Sequence, residues 1–268
     1  MTSPRHKRIT QRRIAEVVAA ELRARILSDD SAERLPPQEQ LVQEFGVSYP
    51  SVREALRILE TEGLITVRRG NVGGAEVHRP DPASAAYHLG LGLQAAHVTL
   101  GDLAVGLQML EPTCAAACAR RADRETAVIP ALEANLASCA ELMGEGLPFT
   151  LAARAFHDLV VSFNPNVTVR YVVSTLVALW SAHEETWAEI LTRSGEYPSP
   201  RDSAESLDCH RHIITAIADG DAEEAERHYR SHLTATQSLV LTHFDTGPVD
   251  VSSAQVGAAI QQSRGTHI

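Results

Sequence analysis

A chain of 268 residues with 44% hydrophobic side chains has room for two domains and apolar matter for a core in each, which excludes a wholly disordered protein. It holds no apolar run of bilayer length, and its basic start, Met1 to Thr10, is not followed by an apolar stretch with a cleavage site. A cytoplasmic protein with no membrane partner is therefore expected. The net charge of −10 is uneven: residues 1–79 hold 13 Lys/Arg against 11 Asp/Glu, and the remainder 11 against 23.

In chain order, residues 1–10 form a basic tail. Within the first part Arg5, Lys7, Arg8, Arg12, Arg13, Arg23 and Arg25 face only Glu16 and Glu21, the asymmetry of a nucleic-acid module joined to an acidic domain. Thr10 is a candidate N-cap, and Ile14, Val17, Val18, Leu22 and Ile26 then recur at helical spacing. Pro36 and Pro37 suit the start of a short helix with Leu41, Val42 and Phe45 inward and Gly46 as its left-handed C-cap. Ser48 can cap a third helix whose inward stripe is Val52, Ala55, Leu56 and Leu59. Leu64 to Arg68 and Ala75 to His78 read as two strands around a turn-rich run. Three helices and a hairpin over residues 11–79 predict a winged helix-turn-helix.

Pro80 and Pro82 mark a boundary. Helical periodicity follows over about 84–96, 100–120, 124–143, 148–163, 167–193, 203–219 and 222–243, with no strand signal, so residues 80–245 predict an all-α bundle. The fold class is mainly α. Residues 246–268 are rich in Gly, Ser, Gln and Pro and predict a disordered or loosely helical tail. Cys114, Cys118, Cys139 and Cys209 form no C-x-x-C pair, so a zinc ribbon is unsupported and free buried thiols are expected.

With its aliphatic stripe inward, the third helix turns Ser48, Tyr49, Ser51, Arg53, Glu54 and Arg57 outward. Hydroxyls, an aromatic ring and arginines at a helix N-terminus suit the major groove, where arginine reads guanine through two hydrogen bonds. Arg68 and Arg69 beside Gly70 suit a wing that grips phosphate or enters the minor groove.

The segment Leu35 to Ile65, LPPQEQLVQEFGVSYPSVREALRILETEGLI, resembles the GntR family of regulators. The resemblance implies DNA contacts from Gln38, Glu39, Ser48, Tyr49, Ser51, Arg53, Arg57, Arg68, Arg69 and Gly70, and a homodimer on a palindromic operator, more often a repressor than an activator. Glu39 and Tyr49 stand where the family often has basic residues, so relatives do not supply the operator sequence.

Residues 83–243 resemble the FadR-type ligand-binding (FCD) domain through Leu110 to Pro112, Phe156 with His157, Asn164 with Pro165, His210 to Ile217, Gly220 with Asp221, and His232. The resemblance implies a small-molecule effector near Leu107, Glu111, Ala153 and Asn164. It also implies one divalent metal ion, such as zinc, on His157, His210 and His232. Ala153 occupies the family's aspartate position and Leu107 that of an anion-gripping arginine. A metal-free polar pocket therefore stands beside the metal site as an alternative, and an acyl or lipid-like effector beside a carboxylate. His183, His212 and His228 read as surface residues. Rival readings are a dimeric DNA binder without ligand sensing and a metal-dependent hydrolase; the latter lacks a general base at Ala153, so no enzyme is expected.

Overall fold

The computed structural model describes residues 4–29, 31–67, 74–244 and 247–251, with side chains from Arg13 onward. The chain divides into two units, Met1–Pro80 and Asp81–Ile268.

The first unit is α1 (Pro4–Ser28), α2 (Gln38–Phe45), α3 (Tyr49–Thr61) and a hairpin of β1 (Ile65–Thr66) and β2 (Glu76–Val77). The strands are antiparallel, with Ile65 opposite Val77 and Thr66 opposite Glu76. Helix α1 begins ahead of Thr10, so that residue is not its N-cap. Its buried stripe is Ala15, Val18, Ala19, Leu22 and Ile26, whereas Ile14 and Val17 are 39% and 69% exposed. The alanines, not those two larger residues, complete the i, i+3, i+4 row that packs on α3. Gly46 ends α2 in the left-handed conformation (φ 61°), and its N–H reaches the Val42 carbonyl, which frees the chain to turn into α3.

The described residues of the second unit form eight α-helices: α4 (Pro82–Ala95), α5 (Leu100–Leu110), α6 (Pro112–Ala119), α7 (Ile129–Glu141), α8 (Leu147–Ser162), α9 (Val167–Ser194), α10 (Pro200–Asp219) and α11 (Ala222–Phe244). The single helix expected over 100–120 is two, divided at Glu111 and Pro112, because proline has no N–H to continue the ladder. A π-helical turn at Arg124–Val128 leads into α7. Asp81 with Ser84 and Ser199 with Asp202 form capping boxes that start α4 and α10.

Residues 247–251 depart from the expected disordered tail. The Val249 N–H donates to the Val98 carbonyl at 2.9 Å, the Leu100 N–H to the Gly247 carbonyl at 3.0 Å, and Val249 and Val251 are buried. Two valines with a paired backbone are enough to hold so short a segment. No helix among the described residues is long and apolar enough to cross a membrane.

Candidate functional site

On α3 the aliphatic stripe anchors the helix and leaves Tyr49, Arg53 and Arg57 exposed, with Glu54 half-buried. Ser48 and Glu39 are exposed as well, and Gln38 is half-buried. Ser51 is the exception to the outward set. It is 2% exposed and its hydroxyl lies 3.0 Å from that of Ser48. The third residue of a helix lies beside its N-cap, so the two hydroxyls satisfy each other and Ser51 faces inward. Arg68, Arg69 and Gly70 lie outside the described residues. Arg23 and Arg25, counted among the basic residues with only Glu16 and Glu21 nearby, reach carboxylates distant in sequence: Arg23 forks onto Glu62 at 2.8 and 2.5 Å, and Arg25 meets Glu44 at 2.5 Å. They brace α1 against the other helices of the unit.

In the second unit α8, α10 and α11 bring His157, His210 and His232 together, each offering a ring nitrogen within 4.8 Å of the others. His157 Nε2 lies 3.2 Å from His232 Nε2, which lies 3.0 Å from His210 Nε2. His210 stacks on Phe156 with ring centroids 3.9 Å apart, which fixes its plane. On the far side of His157, Nδ1–H donates to Glu111 Oε1 at 2.8 Å, and the Tyr229 hydroxyl donates to the same oxygen at 2.5 Å.

The electrostatics divide the three rings. Burial, reinforced by the neighbouring imidazoles, holds His210 and His232 well below the usual histidine range. Burial also opposes charge on His157, but the Glu111 carboxylate outweighs it and raises that ring. Tyr229 is pushed well above its ordinary range by burial and by Glu111.

The cluster fits a divalent ion. His232 Nε2 faces two nitrogens with one proton or one lone pair to offer, so no protonation pattern gives both contacts a full hydrogen bond. A cation accepting three lone pairs removes the conflict, and zinc–nitrogen bonds of about 2.0–2.1 Å set such nitrogens about 3.3 Å apart, near the two spacings that His232 makes here. Ala153 supplies no ligand atom, so the protein offers three nitrogens, with Glu111 orienting one of them from behind.

The cluster opens on a cavity with ≈ 780 Å³ of empty space, part of it open to solvent, walled by α5, α8, α9, α10 and α11. Leu107, Glu111 and Ala153 line it, as do His157 and His232. Asn164 does not. Its side-chain amide donates to the Cys114 sulfur and its carbonyl accepts from the Asn166 N–H, so it shapes the turn into α9. His183 is not a surface residue: it is 6% exposed, donates from Nδ1 to the Leu179 carbonyl at 2.9 Å, and accepts the Asp250 N–H at 3.2 Å. His212 is exposed and stacks on half-buried His228. Sequence reasoning missed Arg154, Trp180, Trp187, Glu184 and Gln237, all in the cavity wall. Trp180 and Trp187, seven residues apart on α9, carried the one readable signal, a shared helix face.

Comparison with known proteins agrees with both units. The FCD domain family matches residues 102–235, and the family of bacterial regulatory proteins called gntR matches residues 14–73. The HTH-type transcriptional regulator RmpR of Mycobacterium gastri is 28% identical over 245 residues, 85% of this chain and 81% of that protein. The HTH-type transcriptional repressor NanR of Citrobacter rodentium is 35% identical over 80 residues, 29% of this chain and 30% of that protein. Among solved structures, a GntR protein of Streptococcus agalactiae superimposes with a TM-score of 0.63 at 21% identity, over 84% of this chain and 99% of its own. The chain belongs to the FCD domain family, carries the helix-turn-helix domain of the gntR bacterial regulatory proteins ahead of it, and is a DNA-binding transcriptional regulator.

Proposed function

We propose that this regulator works in the cytoplasm as a homodimeric repressor. Residues 11–79 bind half-sites of a palindromic operator, and residues 80–245 dimerise and take up the effector that releases the DNA. The observation that carries the DNA reading is the outer face of α3, where Tyr49, Arg53 and Arg57 are exposed above a buried aliphatic stripe. Arg53 reads a guanine, Tyr49 and Ser48 contact sugar or phosphate, Glu39 accepts from cytosine or orients Arg53, and Gln38 and Arg57 flank them. Arg68, Arg69 and Gly70 belong to the proposed wing. The repressor sign is supported by the likeness of 80 residues of the chain to NanR, whose name describes it as a repressor.

The effector site is the cavity beside the three histidines, with Leu107, Glu111 and Ala153 in its wall. A divalent ion such as zinc on His157, His210 and His232 would supply a Lewis-acidic point of attachment for an effector oxygen. The protein's own part is to keep His210 and His232 neutral by burial and to fix the tautomer of His157 through Glu111. The effector is a carboxylate or an acyl, lipid-like metabolite. Switching requires it to bind the DNA-released state more tightly than the DNA-bound one.

The test is capture of genomic fragments on the purified full-length protein, followed by footprinting and elemental analysis of the same preparation. A two-fold symmetric footprint with half-sites about one DNA turn apart is expected, with one metal ion per chain. An asymmetric footprint, or binding indifferent to sequence, overturns the operator reading; a preparation free of metal overturns the ion.

A further inference from the structure

Four side-chain polar atoms in the wall of this one cavity are shut off from solvent and have no hydrogen-bond partner among the described residues: Arg154 Nε, Ser181 Oγ, Trp187 Nε1 and Gln237 Nε2. Ser181, Trp187 and Gln237 are themselves more than nine-tenths buried. Three of these atoms can only donate, and the serine hydroxyl can donate as well. The wall's unmet demand is therefore for acceptor oxygens. Around them stand Phe149, Trp180 and Tyr197, which with Trp187 give part of the wall an aromatic lining.

The charges in the same wall disfavour a free anion. Arg154 is its one guanidinium, and it is already opposed by Glu185, 3.8 Å away. The same wall holds the acidic residues Glu111, Glu184 and Asp202. Burial pushes Glu184 toward its neutral form, with His157 and Arg154 pulling the other way. Leu107 stands where the family resemblance implies an anion-gripping arginine, so the wall holds no second guanidinium, and a divalent ion on the histidines would be its further source of positive charge.

From this we infer that the cavity takes an uncharged, mainly apolar compound bearing carbonyl or ether oxygens, that is, an ester, lactone or ketone, whose oxygens accept from Trp187, Ser181, Gln237 and Arg154. The inference rests on the proposal that this cavity is the effector site, and narrows the ligand to one chemical class.

Both tryptophans of the chain, Trp180 and Trp187, line the cavity, so intrinsic fluorescence reports its occupancy directly. The full-length protein is titrated with δ-decalactone and, as the charged counterpart of equal carbon number, decanoate, once with EDTA and once with added zinc. Saturable lactone binding about tenfold tighter than that of decanoate is expected, because both ligands offer acceptor oxygens and the carboxyl groups of the wall oppose only the anion. Ser181→Ala and Trp187→Phe each remove an unpartnered polar atom, so both should weaken lactone binding about fivefold or more, Ser181→Ala without lowering the melting temperature. Preference for decanoate in either metal state overturns the inference, as does lactone affinity unchanged in both variants, or no saturable response to lactone. Binding of the same preparation to footprinted DNA is measured in parallel. Intact operator binding with decanoate preferred sinks only the ligand class, whereas loss of sequence-selective DNA binding sinks the regulator's proposed operator instead.

Discussion

Glu111 Oε1 sits 2.8 Å from His157 Nδ1, on the side of the imidazole turned away from His232. The carboxylate thereby sets which nitrogen of His157 keeps its proton and leaves Nε2 for the cluster. Glu111→Gln keeps the size of the side chain and removes the charge. Zinc affinity of the variant should fall about 10- to 100-fold, the usual cost of losing such a supporting partner. Competition with a chromophoric chelator measures it. An affinity equal to wild type would mean that Glu111 serves packing alone.

Acid should destabilise the metal-free protein. Burial lowers His183, with the Leu179 carbonyl and Asp250 pulling against it, and His210 and His232 lie lower still. In the unfolded chain all three titrate near 6.5. As pH drops through that value the unfolded state takes up protons that the folded state refuses, so stability is full above the unfolded pKa and is lost as pH falls toward the folded values. His157, raised by Glu111, works in the opposite sense: its contribution is full below the unfolded pKa and is lost as pH rises through the folded one. Burial raises the Glu184 carboxyl, which works in the same sense as His157, so the expected fall comes from three lowered rings acting against these two groups. Thermal melts in EDTA should give a lower transition for the helical unit at pH 5.5 than at pH 7.5, and His183→Gln should flatten the slope. A transition that rises on acidification contradicts the assignment.

What could be read from the sequence was what short-range periodicity encodes. The stripe Val52, Ala55, Leu56 and Leu59 and the C-cap at Gly46 depend on neighbours within two turns, and they stand as expected. The histidine cluster came from family resemblance, since three rings on three helices share no local pattern. Arg154 and Glu184 were invisible because their meeting in one cavity depends on how α8 and α9 are rotated against each other. His183 misled because a lone histidine gives no sign that a chain segment 67 residues later will cover it. That segment, too, was unreadable: a pair of valines in a polar stretch makes no periodic signal.

Arg53 and Ser51 are two residues apart on α3 and should respond differently. Arg53 is exposed, and Arg53→Ala should cost operator binding about 1–3 kcal/mol and relax preference at one base-pair position. Ser51 is buried against Ser48, so Ser51→Ala should cost about 1 kcal/mol of folding stability while leaving base preference intact. Selection from a random duplex library, scored position by position, separates the two. Altered base preference in the serine variant would place Ser51 back at the interface.

Gly90 on α4 and Val251 are matched by shape. A Cβ at Gly90 would lie 2.4 Å from Val251 Cγ1 and 3.1 Å from Leu179 Cδ1, so Gly90→Ala must displace the segment that Val251 anchors. Alanine gains about 1 kcal/mol of helix propensity over glycine, while overpacking a buried site costs about 1–3 kcal/mol, so the net effect should be destabilising by up to about 2 kcal/mol. Val251→Ala removes the colliding methyl. In that background Gly90→Ala should cost much less, a coupling of about 0.5–3 kcal/mol in a double-mutant cycle followed by urea denaturation. Strict additivity would mean that residues 247–251 leave α4 readily, and that the two buried valines contribute little to holding them there.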